Sequence, residues 1–122
     1  MAKYTKRGVP LIRNAETMTE SQFFSWLRSA LRRLSIRWKP RTEFLKEIRR
    51  SYTGTNKKIK WEYPCKICKK WFIMKNVEVD HIVPCGSLKS FDDIGGFCDR
   101  LFIEKDGYQL LCKECHNMKT HK

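Results

Sequence analysis

A chain of 122 residues has room for one compact domain and an extension, and its lack of any uninterrupted apolar run of bilayer length excludes a membrane-spanning helical protein. Lys and Arg number 26 against 13 Asp and Glu, a net charge of +13, so the expected partner is nucleic acid ahead of acidic lipids or of a charge that serves solubility alone. The opening Met-Ala-Lys-Tyr has no apolar leader, which predicts a soluble cytoplasmic protein whose six cysteines are reduced and available to metal rather than tied in disulfides.

The charge is unevenly spread. Residues 1–60 hold 16 basic and 4 acidic side chains, whereas residues 61–122 hold 10 and 9. A basic region of 1–60, joined to a nearly neutral Cys/His-rich half of 61–122, suggests an arm that grips nucleic acid attached to a unit that does chemistry or recognition.

Residues 1–18 contain Gly8 and Pro10 without any period and read as a flexible basic leader. A helix is expected next. Thr19 with Gln22 makes a capping box, and Phe23, Trp26, Leu27, Ala30, Leu31 and Leu34 recur at helical spacing as an apolar face. Arg28, Arg32 and Arg33, with Arg37 nearby, fall on the other side as a basic stripe suited to phosphates or simply to solvent. Pro40 suits the first turn of a second helix running to about Tyr52, with Phe44, Leu45 and Ile48 inward, so the two helices should form a hairpin. The stretch 51-SYTGTNKKIK-60 then reads as a linker carrying Lys57, Lys58 and Lys60.

The second half predicts β, loop, β, α. Val77, Val79 and Val83 mark a strand that must end by Pro84, a short helix falls around Phe91–Phe102, and 108-YQLL-111 is a strand leading into a final helix. Two Cys-x2-Cys pairs, Cys65/Cys68 and Cys112/Cys115, stand 43 residues apart. Zinc takes four thiolates tetrahedrally, and each such knuckle supplies two from one turn, so a closed structural zinc site is expected. An iron site of the rubredoxin kind and a redox dithiol are the alternatives for these spacings. Cys85 and Cys98 have no partner at ligand spacing and read as ordinary buried thiols.

If the two knuckles share one ion, His116 follows directly on the second, on a helix beside the strand that ends in Asp80 and His81. One carboxylate and two imidazoles then converge, enough to hold a catalytic divalent ion and to keep one imidazole as a base. Neighbouring side chains of a regular strand face opposite ways, so this convergence requires the strand to twist or break near Pro84.

With Cys65 and Cys68, the triplet Asp80-His81-Ile82 followed by Pro84, and the tail 111-LCKECHNMKT-120, the region from Trp61 to His121 resembles the HNH endonuclease family, especially its small phage and bacterial members. The resemblance implies an α+β fold: a zinc-braced ββα-metal nuclease domain preceded by the basic helical hairpin. It implies Asp80 and His116 as ligands of a catalytic Mg²⁺ or Mn²⁺, His81 as general base, and Asn117 and Lys119 as supports on the phosphate side. The expected partner is double-stranded DNA, cut by a monomer in the cytoplasm of a bacterial cell or a phage-infected host. One position departs from the family: the Asn expected nine residues before His116 is Gly107. A zinc-ribbon nucleic-acid-binding module without catalysis is the second reading, and a thiol redox protein the third.

Overall fold

The computed structural model describes residues 2–120; Met1, His121 and Lys122, at the ends of the two expected halves, lie outside the described residues, as does the side chain of Thr120. In chain order the elements are β1 (Lys3–Tyr4), β2 (Pro10–Leu11), α1 (Glu20–Ser35), α2 (Lys39–Ile48), β3 (Arg50–Ser51), β4 (Trp61–Pro64), β5 (Trp71–Phe72), β6 (Val77–His81), α3 (Ile94–Leu101), β7 (Tyr108–Cys112) and α4 (Lys113–Thr120). All strand pairs are antiparallel: β1 with β2, β3-β4-β5, and β6 with β7. The chain is therefore a small α+β fold, and no helix among the described residues is long and apolar enough to cross a membrane.

Two compact units divide the chain, and their boundary is not at residue 60. The first unit combines residues 2–37 with 85–102, the second residues 38–84 with 103–120. Helices α1 and α2, expected to pair as a hairpin, bury their apolar faces in different cores. In the first unit Phe24, Cys85, Leu88, Phe97 and Leu101 form the core, with Leu27 and Leu31 against it. In the second, Leu45 of α2 packs on Tyr63, Val77 and Leu110, with Phe44 and Ile48 alongside.

Helix α1 starts where its capping box predicts, Thr19 Oγ1 accepting from the Gln22 amide at 3.1 Å and Gln22 Oε1 from the Thr19 amide at 2.9 Å. Its buried face is turned from the expected one. Phe24 is 2% exposed, while Trp26 and Leu34 are 54% and 58% exposed. The rotation brings Arg28, four residues after Phe24, to the buried side, where its guanidinium lies 5.6 Å from the Phe97 ring centroid; Arg32 and Arg33 remain exposed. Residues 1–18 also hold more than a leader, since β1 pairs with β2 and Asn14, Ala15 and Glu16 form a turn at φ 54, 55 and 62.

Helix α2 ends at Ile48, short of Tyr52, because Arg49 turns extended and Arg50 and Ser51 pair with Glu62 and Trp61. The expected linker is thus the connection of a β hairpin, closed by the Tyr52 amide donating to Lys60 O at 3.0 Å. Glu62 is buried in that sheet. Arg50 Nε donates to its Oε1 at 2.6 Å, Thr53 Oγ1 lies 3.1 Å from the same oxygen, and the Arg50 guanidinium stacks 3.9 Å from the Trp71 centroid. The bond from Arg50, reinforced by Thr53 against the opposing effect of burial, holds the Glu62 carboxyl below its ordinary 4.5. A depressed folded-state value stabilises above the ordinary carboxylate range and ceases to as pH falls through the lower folded value. Glu62→Gln is therefore expected to lower the urea midpoint at pH 7, with the gap to wild type closing in acid; a gap independent of pH would refute the assignment.

Candidate metal centre and the acidic face beside it

The Cys65/Cys68 knuckle is the turn between β4 and β5. Cys65 N–H donates to Lys70 O at 2.9 Å, Lys69 takes φ 65 to close the turn, and Lys66 N–H donates to Leu110 O at 2.9 Å, which ties the knuckle to β7. Cys112 is the last residue of β7 and Cys115 lies in the first turn of α4, its amide 3.4 Å from Cys112 Sγ. The four sulfurs lie within 4.8 Å of one another, with Cys68 and Cys112 at 4.0 Å. A tetrahedral zinc with bonds of about 2.3 Å places its sulfurs about 3.8 Å apart, so this donor set fits a metal such as zinc.

The thiols differ in acidity. Burial resists ionisation of Cys65, but the amides of Cys112, Cys68 and Ile67 around its sulfur prevail and bring it to about 6. Cys115 is pushed up to about 12, first by its bond with Cys112 and then by burial and the Cys65 charge. For Cys68 the Lys70 amide favours the thiolate, and burial with the neighbouring sulfurs outweighs it, raising the value. The Cys65 thiolate thus forms readily, whereas Cys68 and Cys115 hold their protons more firmly.

Next to the cluster, β6 and β7 pair in register from Val77↔Cys112 to His81↔Tyr108. Alternation puts Glu78 and Asp80 on the face turned to α4, and Val77, Val79 and His81 on the face turned to the α2 core. His116 and Lys119, three apart on α4, meet the two carboxylates. His116 Nδ1 lies 2.9 Å from Glu78 Oε2, and Lys119 Nζ bonds Asp80 Oδ2. Gln109, opposite Asp80, donates to the same oxygen at 2.8 Å. Partial burial works against the Asp80 charge, but Lys119, Gln109 and His116 outweigh it and hold the carboxyl below its ordinary value.

The structure therefore gathers Asp80, His116 and Lys119, and sets His81 apart from them. Its ring lies 5.1 Å from that of Tyr108, its partner across the ladder. Strand alternation puts His81 on the face opposite Asp80, at the last residue of β6; the chain then bends at Ile82 and Val83 before Pro84, and the loop there is tied by Ile82 N–H donating to Gly107 O at 2.9 Å. Gly107, where an Asn was expected, braces that loop through its carbonyl, and a Cβ on it would come within 2.5 Å of Ile103 Cδ1. Asn117 is exposed, as are Lys57, Lys58 and Lys60 on the β3–β4 hairpin. Sequence reasoning passed over Glu78 and Gln109. Glu78-x-Asp80 was legible as two carboxylates on one strand face; Gln109 depended on cross-strand register.

Zinc should bind with release of protons, detected with a pH indicator during titration, and its affinity should fall as pH is lowered. Cys65→Ser should abolish stoichiometric zinc and weaken the fold of the second unit, a structural zinc contributing on the order of 10 kcal/mol; a metal-free protein as cooperative in thermal unfolding as the zinc form would contradict this. No family model, curated protein or solved structure matches the chain.

Proposed function

We propose that the chain is a divalent-metal-dependent DNA endonuclease of the HNH type, with β6, β7 and α4 as its ββα-metal motif and the four cysteines as its zinc brace. The observation that carries this reading is the pairing of Asp80 with α4 residues His116 and Lys119 on one face of an antiparallel strand pair, beside four sulfurs within 4.8 Å of one another. The net charge of +13 suits a duplex DNA substrate.

A carboxylate and an imidazole are a donor set for Mg²⁺ or Mn²⁺, which Asp80 and His116 would hold. Such an ion supplies Lewis acidity and positive charge at the phosphate during hydrolysis. Glu78, accepting at His116 Nδ1, fixes that ring's orientation and assigns any coordination to Nε2, as carboxylates beside metal-bound histidines do. Lys119 pairs with Asp80 and, displaced from it by such an ion, would turn to a phosphate oxygen. His81 would accept the proton of the attacking water. For that role the imidazole must turn towards the face of Asp80 on DNA binding, since alternation puts it opposite, at the last residue of β6 before the chain bends at Ile82 and Val83.

That last requirement favours one competing reading, a zinc-braced DNA-binding module that does not cut. Incubation of supercoiled plasmid with Mg²⁺ or Mn²⁺ separates the two. Nicking that stops with EDTA and falls about 10² to 10⁴-fold in His81→Ala is expected, and binding without cleavage under any divalent ion would favour the module. Nicking undiminished in His81→Ala would remove His81 as the base. Independently of activity, Glu78→Ala should weaken Mn²⁺ binding to the zinc-loaded protein about 10 to 100-fold, read by calorimetry; unchanged affinity would remove Glu78 as a positioning residue.

A further inference from the structure

A cleft outside the face just described lies within the first unit. It is an open cleft of about 670 Å³ between α1 and the loop that begins at Gly86. Its floor is apolar, Phe24 and Leu88, both buried. Its walls are polar: Ser21, Ser25 and Ser87 supply hydroxyls, and Arg28 and Lys89 supply two cations.

The charges of this cleft are not balanced. Its one acid, Glu20, is already bonded to Arg13 at 2.8 Å, whereas among the described residues neither Arg28 nor Lys89 forms an ion pair. A cleft with two uncompensated cations, three hydroxyls and a neutralised acid is complementary to an anion with several oxygens.

The frame around it is also fixed in advance. Arg28 sits 5.6 Å over the Phe97 ring, which limits where its guanidinium can point. Gly86 turns at φ +80, and Arg100 packs against it while donating from Nε to Cys85 O at 2.7 Å. Asp93 Oδ2 accepts from the amides of Lys89 and Ser90 at 2.9 and 3.2 Å, which holds the far end of the loop. Preorganised donors bind with less loss of side-chain freedom.

We propose that this cleft is a subsite for one backbone phosphate of duplex DNA, held by Arg28 and Lys89 with the serine hydroxyls on its remaining oxygens. The assignment rests on the reading of DNA as the partner, and it adds a positioning contact on residues that take no part in the cutting chemistry. A phosphate contact fixes the register of a duplex without reading its bases.

The test is binding of a labelled duplex by the full-length zinc-loaded protein in EDTA, followed by fluorescence anisotropy over a series of KCl concentrations. Each cation that neutralises one phosphate contributes about 0.9 to the slope of log K against log salt. Arg28→Ala and Lys89→Ala should each flatten the slope by about that amount, while Arg28→Lys keeps it. Lys105→Ala, a cation bonded to Glu47 at 3.2 Å, serves as the control for lost charge alone and should leave the slope unchanged. Lys89 is exposed, so its variant carries the test even if Arg28→Ala fails to fold.

Wild-type slopes in Lys89→Ala and any folded Arg28→Ala, in protein that still binds and nicks DNA, would overturn the subsite alone. Flattened slopes in a protein that never nicks would leave the subsite standing and remove the nuclease reading. A wild-type protein without salt-dependent binding removes both. Chemical-shift changes at Arg28 and Ser25 on adding inorganic phosphate, with DNA slopes unchanged by the substitutions, would assign the cleft to a small phosphate and overturn the DNA assignment.

Discussion

The gathering of four sulfurs is the constraint on which the second unit depends. Cys65 and Cys68 come from a turn between two short strands, Cys112 from the end of β7, and Cys115 from the start of α4. These segments bury few apolar side chains between them; among the described residues the cluster there holds, besides the cysteines, Leu111 fully buried with Phe72 alongside. A buried leucine contributes roughly 2 kcal/mol of transfer free energy, so one ion shared by the four thiolates would outweigh the apolar packing of that end. A two-stranded pair such as β6–β7 is marginal by itself in water. Here one face rests on the α2 core and the other on α4, whose first turn is held by the cysteine cluster.

The same clamp sets the electrostatics of the acidic face. By pinning the start of α4 next to the end of β7, it aligns the helix so that residues 116 and 119 reach residues 78 and 80 of β6. The resulting pairs are close and only partly buried, and Asp80 carries three favourable partners in Lys119, Gln109 and His116. Together they favour the ionised form of Asp80 against its partial burial.

Not every cation in so basic a chain is offered to a polyanion. Arg13 lies 5.3 and 5.0 Å from the rings of Phe23 and Phe91, Arg28 is over Phe97, and Arg49 and Arg50 lie 3.9 Å over Trp61 and Trp71. Guanidinium stacks well on aromatic faces because it is planar and weakly hydrated. These arginines fasten helix ends and strands, and a net charge of +13 overstates the surface available to phosphates. Arg28 differs in that its charge, though stacked, still faces an open cleft.

Local signals were legible where neighbouring residues decide the outcome. The capping box at Thr19, the Cys-x2-Cys turns, the short helix after Phe91 and the strand at Tyr108 all follow from side-chain to backbone bonding or from apolar period within a few residues. The α+β class and a four-cysteine cluster fit for zinc were readable for the same reason. Tertiary structure decided the rest, because it turned on which apolar surfaces meet. Phe24 rather than Phe23 became the centre of the α1 face, α2 buried its apolar face in the sheet core, and Arg50 and Ser51 joined a strand instead of a helix. It also decided the facing of Asp80 and His81, since strand alternation is a local rule but where β6 ends, at His81 opposite Tyr108, depends on its pairing with β7, far along the chain.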